Sequence, residues 1–461
     1  MVVMISQIIK FALARGMPAA INFFAIVYFT HKLGAEGFGK YSLSMTYIGL
    51  SSVPLFMWIR AVVVRFYVSS ECSRGYVRHV AWLSYLAILT IICIALFLSY
   101  ILGISTAYIG ILMICVCSSA LFEIIVEFIR LDEKINIYAL VNILRSIFFI
   151  LISVIFLNYE SMYSSVLLAY ALSYVFTSVL SVIFSKLYKH KYIKESNNIS
   201  FKYLISYGFP VAVASWLSMI IMSTDKIVIN YLNGDELTGM YSASADLSIQ
   251  AMSFILSCLG LVFFPILLKK FESDKNVIEH SALYISVISY GLTSVLFCLV
   301  FFSRVISYLI FPSEYHDVTN SIMPFIAVSS FLFGIKSNYF DYAFFFAKKS
   351  ANLFYLQLFM VLINVPLTYF FVRYFGVMGA AYSTVILAVL GVAISVFFGR
   401  KYCILTIYDK RLTNCFMLNV IVAYSISVMC NDIYGMMIYV GISITISFVM
   451  LMSDYRLNIV R

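Results

Sequence analysis

Fourteen stretches of this chain are each long and apolar enough to cross a bilayer, and little polar sequence separates them. They run approximately over 5–30, 40–66, 79–102, 106–130, 136–157, 161–187, 203–232, 237–268, 278–303, 317–346, 350–373, 377–400, 412–430 and 433–452. About twenty consecutive apolar residues suffice for one helical crossing. A backbone in hydrocarbon must satisfy its own polar groups, so only helices and closed barrels span membranes. These runs are continuous and do not alternate over about ten residues, which excludes barrel strands. The expected fold is an all-α membrane protein of about fourteen transmembrane helices. Charged residues are only 11% of the chain, where a soluble domain carries about 25%. The bilayer must therefore be the solvent for most of the surface.

The opening of the chain is written twice. Lys10, Gly16 and Pro18 recur with the same spacing as Lys202, Gly208 and Pro210. Leu33-Gly34-Ala35-Glu36-Gly37-Phe38-Gly39-Lys40-Tyr41-Ser42 is echoed by Leu232-Asn233-Gly234-Asp235-Glu236-Leu237-Thr238-Gly239-Met240-Tyr241-Ser242. Six spans precede the second copy. An even number makes the halves parallel, related by an axis along the membrane normal. Two six-helix bundles are expected, 1–190 and 200–402, around a central cavity. Two appended helices and a short tail occupy 412–461.

Loop charge sets the orientation. Cytoplasmic loops carry excess Lys and Arg. Placing the N-terminus inside puts most of the 31 basic residues on inner loops, and only Lys32, Lys40, Arg304 and Arg373 on outer ones. Both termini are then cytoplasmic. The net charge of +10 fits an inner face lying against anionic lipid and calls for no nucleic acid. The first span lacks a small-x-small cleavage site and is expected to stay in the membrane. The nine cysteines are scattered, with no metal or disulfide spacing.

Gly34 to Lys40 imitates a phosphate-binding loop, but Tyr41 stands where that loop needs Ser or Thr. A tight turn using glycine at positive φ is the expectation. No H-E-x-x-H or G-x-S-x-G signature appears, so no enzyme, metal or cofactor is expected.

Charges at membrane depth are costly and mark cavities or partners. Arg15, Arg60, Arg145, Lys226 and Lys336 lie within spans and are the candidates to line a substrate cavity. Arg15 and Lys336 lead, as cations that attract an anionic headgroup. Asp225, Asp246 and Asp341 are the candidates for ion coupling or ion pairing. Asp225 and Asp246 flank the Gly234 turn at similar depth, about 15 Å below it at 1.5 Å per residue. Asp225 and Lys226 are adjacent and point apart, so they do not pair with each other.

The block Leu33 to Leu43 resembles the first-hairpin signature of bacterial polysaccharide flippases. Tyr207-Gly208-Phe209-Pro210, Asp225-Lys226-Ile227-Val228-Ile229 and Gly239-Met240-Tyr241-Ser242-Ala243 resemble their seventh-span block. Tyr374-Phe375-Gly376-Val377-Met378-Gly379-Ala380-Ala381-Tyr382-Ser383-Thr384 is similar to their twelfth-span entry. The resemblance is to the O-antigen flippase (Wzx) type of the multidrug/oligosaccharidyl-lipid/polysaccharide exporter superfamily. It implies alternating access in the bacterial inner membrane and an undecaprenyl-pyrophosphate-linked oligosaccharide as cargo. It also implies proton or sodium coupling, and work alongside other polysaccharide assembly proteins. One alternative is a cation-coupled multidrug exporter of the same superfamily, usually with twelve spans and an acidic cavity. Another is a membrane polysaccharide polymerase or ligase, which needs a large outer loop bearing Arg and His.

Overall fold

The computed structural model describes the backbone of all residues except 1, 69–71, 103–106, 187–199, 273–276, 348–349, 404, 406–409 and 460–461. Side chains are further described except at 2–15, 254, 257–266, 269–272, 277–280, 283, 350–351, 410–412 and 451–459. The described residues are helical apart from short connections.

The first helical run, Val2–Phe66, is far too long for one crossing. At 1.5 Å per residue it would be about three times the thickness of a bilayer core. It breaks at Gly34, with φ 66° and ψ −178°, a backbone region essentially closed to other residues. This gives α1 (2–33) and α2 (35–66). The run Phe201–Glu272 breaks in the same way at Gly234, with φ 87° and ψ −179°, into α7 (201–233) and α8 (235–272). The expected turns are therefore real, and the glycine-rich segment after Leu33 is a hairpin.

Between these hairpins lie α3 (Arg74–Ile101), α4 (Ala107–Leu131), α5 (Ile135–Tyr159) and α6 (Tyr163–Ser185). After them come α9 (Val277–Phe301) and a short helix, Ser303–Ile310. The tenth span, α10, runs through His316–Ile335, a π turn at Lys336–Phe340, and Tyr342–Phe346. The chain continues through α11 (Ser350–Phe375), α12 (Val377–Gly399), α13 (Lys410–Met429) and α14 (Ile433–Ile459). Among the described residues, eleven helical runs are long and apolar enough to span, with Thr413–Met429 as a shorter apolar helix. Two of the eleven are the broken hairpins, which makes thirteen, and the shorter helix is the fourteenth apolar helix. The connection at 304–316 folds tightly: Tyr315 is fully buried, and the His316 ring lies 4.2 Å from that of Tyr308.

The chain forms two compact units. Unit 1 holds residues 1–25 and 37–223; unit 2 holds 26–36 and 224–461. The division falls inside α7 and not in the connection before it. The reason lies in α2. A Cβ on Gly208 would stand 2.7 Å from the Trp58 carbonyl oxygen, so only glycine lets α7 lie this close. Trp216 Nε1 then donates to the Leu50 carbonyl at 3.0 Å, and Phe66 meets Tyr203 and Tyr207 edge to face. The first half of α7 is thus built into unit 1. In unit 2, α13 and α14 pack on α9. Tyr439 donates to the Ser294 carbonyl, and Ser447 to that of Tyr290, so polar bonds fasten the appended helices.

Candidate functional site

In unit 1, Arg60 on α2 meets Glu123 on α4 at 3.2 Å, with side chains 33% and 41% exposed. Neither sits at the end of its helix. Charged groups this open within apolar spans face water or headgroups, because lipid tails cannot solvate them. On α4, Glu127 pairs with Arg130 one turn on. Arg145 on α5 has a different setting. It donates to the Tyr174 hydroxyl at 2.7 Å and to Ser146 Oγ at 3.0 Å. Its guanidinium lies 5.1 Å from the centre of the Tyr174 ring, itself 4.5 Å from that of Tyr170. This is a cation held by aromatic faces and hydroxyls. The side chain of Arg15 lies outside the described residues.

At the end of α2, Tyr67 donates to Asp132 Oδ1 at 2.9 Å. Arg78 donates to Asp132 Oδ2 at 3.0 Å and to the Tyr67 hydroxyl. Burial, and then the bond to Asp132, push the Tyr67 phenol up to about 12. It therefore stays a donor and pins the connection after α2 to the one after α4.

In unit 2, the Gly234 turn places α8 against α7. Lys226 Nζ lies 2.8 Å from Asp246 Oδ1 and 3.0 Å from Oδ2. A straight helix would hold these two residues about 30 Å apart. Asp225 points elsewhere, as adjacency requires. It is buried, and its Oδ2 accepts from the Tyr241 hydroxyl at 2.8 Å. Among the described residues its Oδ1 has no hydrogen-bond partner. Thr368 of α11 stands beside the carboxylate. Thr368 Oγ1 donates to Asn364 Oδ1 at 3.0 Å and lies 3.2 Å from Ser383 Oγ of α12. Three helices thus build an oxygen-lined nest around one carboxylate.

Lys336 and Asp341 are brought together instead of serving separately. Their charged atoms lie 2.8 Å apart, with side chains 5% and 7% exposed. The Lys336 ammonium is buried against a carboxylate of its own helix. Sequence reasoning found the charges but missed Tyr241, Asn364, Thr368, Ser383, Tyr174 and Ser395, whose Oγ donates to Asp341 Oδ1 at 2.8 Å. An available signal was the Asn364/Thr368 pair, two polar residues one helical turn apart inside an apolar span. Among the described residues no three His, Cys, Asp or Glu side chains cluster as a metal site.

The chain matches the polysaccharide biosynthesis protein family over residues 6–271, more than half its length, and belongs to that family. Its fold is that of known transporters. The lipid II flippase MurJ, in an inward closed conformation, is similar with a TM-score of 0.78 at 18% identity, covering 98% of this chain and 100% of that one. An inward-facing multidrug resistance MATE family transporter of the MOP superfamily has a TM-score of 0.64 at 15% identity, covering 86% of this chain and 98% of that one. An outward-facing MATE transporter of the same superfamily has a TM-score of 0.61 at 16% identity, covering 86% and 95%. A search among curated proteins finds no matching relative.

Proposed function

We propose that this protein is a flippase. It carries an undecaprenyl-pyrophosphate-linked O-antigen or related repeat unit across the bacterial inner membrane by alternating access, with both termini cytoplasmic. The carrying observation is coverage: the MurJ likeness takes in 98% of the chain. The MATE likeness stops at 86%, short by a length close to that of α13 and α14. Family membership agrees. The half-open ion pairs Arg60–Glu123 and Lys226–Asp246 suit contact with a polar, anionic cargo inside the membrane, and Arg145 offers a further cation.

Asp225 is the coupling carboxylate in this reading. A buried carboxylate with an unsatisfied oxygen is costly until a proton or cation neutralises it. Its neighbours Tyr241, Thr368, Asn364 and Ser383 offer only hard oxygen donors, which suit a proton or sodium ion.

Removal of the gene from its host tests the function. Loss of surface polysaccharide with accumulation of the lipid-linked repeat unit is the expected result, with restoration by the intact gene. Unchanged surface glycan with new drug sensitivity would move the assignment to the multidrug exporter reading.

A further inference from the structure

Three charged side chains of unit 1 meet at membrane depth with hydrogen-bonding capacity to spare. Arg60 on α2 lies six residues before Phe66, Glu123 on α4 eight before Leu131, and Arg145 on α5 ten after Ile135. The bonds from Tyr67 and Arg78 to Asp132 hold these three helix ends at one level. At 1.5 Å per residue the groups therefore stand about 9, 12 and 15 Å from a common end, inside a hydrocarbon core of about 30 Å. Arg60 faces Glu123 at 3.2 Å, longer than the ~2.7–2.9 Å of a close charge-assisted bond. Glu123 is also the carboxylate within electrostatic reach of the Arg145 guanidinium. One open carboxylate thus serves two guanidiniums.

The wall behind Arg145 is aromatic. The Tyr174 hydroxyl accepts from Arg145 Nη1 at 2.7 Å, and the Tyr170 ring, one turn away on α6, lies 4.5 Å from that of Tyr174. Phe122 meets Tyr174 edge to face at 5.4 Å, and Phe149 meets Tyr170 at 5.8 Å. These rings fix Tyr174, and its hydroxyl in turn fixes the guanidinium. Tyr174 is buried and Tyr170 half-buried.

Charge balance selects among the parts of a lipid-linked cargo. A pyrophosphate is drawn to cations alone, and the open Glu123 carboxylate repels it. Glu127, one turn on, adds a second carboxylate, held by Arg130. A sugar ring differs: its hydroxyls donate and accept side by side, and its C–H face is apolar. A carboxylate accepts only and a guanidinium donates only, so the pair answers both halves of a vicinal diol. Ligand sites commonly join apolar or aromatic walls to a few convergent polar groups. We infer that Arg60, Glu123 and Arg145 form a saccharide subsite of unit 1, which takes an uncharged sugar ring of the cargo by its vicinal hydroxyls, with Tyr174 holding Arg145 in place. The inference rests on the flippase reading and gives the pyrophosphate no part in this subsite.

Calorimetric titration of the full chain in lipid nanodiscs tests this with two probes: the repeat-unit saccharide released from its lipid by mild acid, and inorganic pyrophosphate. The wild type is expected to bind the saccharide, and pyrophosphate is expected not to displace it. Glu123→Gln keeps the size of the side chain and removes its charge. It is expected to weaken saccharide binding roughly tenfold or more, the effect of losing a hydrogen bond to a charged group. Tyr174→Phe keeps the ring and removes the acceptor for Arg145; a smaller loss of affinity at unchanged Tm is expected. Glu123 is 41% exposed, so its substitution leaves the fold intact. Glu160→Gln, exposed beyond the far end of α5, is the control and should bind as wild type does. Wild-type affinity in Glu123→Gln would overturn the inference, as would displacement of the saccharide by pyrophosphate. Absence of saccharide binding to the wild type would overturn it too. Accumulation of the lipid-linked unit on gene removal would then leave the flippase reading standing, and its absence would take that reading down as well.

Discussion

Asp225→Asn is expected to cut surface polysaccharide by roughly 5- to 150-fold, the span of a typical coupling free energy of about 1–3 kcal/mol, at unchanged protein abundance. The substitution keeps the shape of the side chain and an acceptor for the Tyr241 hydroxyl, which lies 2.8 Å from the carboxylate. It removes only the charge that a proton or cation has to neutralise. Folding does not need that charge, because Asp225 Oδ1 has no hydrogen-bond partner among the described residues. Neutralising it relieves a desolvation cost, so abundance should hold or rise. Tyr241→Phe removes the donor and keeps the charge, and should give an intermediate loss. Quantitative glycan blots beside immunoblots of membrane fractions decide the matter. Normal export by Asp225→Asn would remove Asp225 from the coupling role and leave it as a structural acceptor.

Gly379→Ala is expected to damage the fold severely. A Cβ there would stand 2.0 Å from the Phe371 carbonyl oxygen and 2.7 Å from the Val372 nitrogen. Those are backbone atoms of α11, so no side-chain rotation relieves the clash. The preceding Gly376, at φ 58°, sets the tight turn that brings α12 back onto α11. Forcing the helices apart also disturbs the contact between Thr368 and Ser383. Overpacking of this kind costs about 3 kcal/mol or more when the backbone must move. Thermal unfolding of the detergent-purified protein should show a large drop in Tm, or the variant should fail to accumulate. Gly110→Ala is the control, since no atom lies within 4 Å of its Cβ position. Wild-type stability for Gly379→Ala would contradict the close approach.

These two sites show what was legible in the chain. The fourteen spans and both hairpin turns followed from apolar run length and from Gly34 and Gly234, because bilayer thickness and positive φ act locally. The Lys226–Asp246 pair was half legible: depth below the turn put Asp225 and Asp246 level, but did not say that Lys226, next to Asp225, would turn to Asp246. Gly379 stood inside a recognisable block, yet its reason, a carbonyl of the neighbouring helix, belongs to tertiary structure. The nest around Asp225 joins α7, α8, α11 and α12, and spacing along one span says nothing about such a meeting. The division between the units inside α7 belongs to tertiary structure too: the missing Cβ of Gly208 docks the first half of α7 on Trp58. Lys336 and Asp341, five apart, fall on different faces of a regular helix, and only the π turn brings them together.

Leaflet exchange of a fluorescent lipid-linked oligosaccharide in proteoliposomes tests the central claim most directly. The purified protein, reconstituted under an imposed proton or sodium gradient, is expected to move the labelled saccharide from one leaflet to the other, with Asp225→Asn vesicles matching protein-free ones. No protein-dependent movement of the saccharide under either gradient, with uptake of a lipophilic cationic drug in the same vesicles, would contradict it.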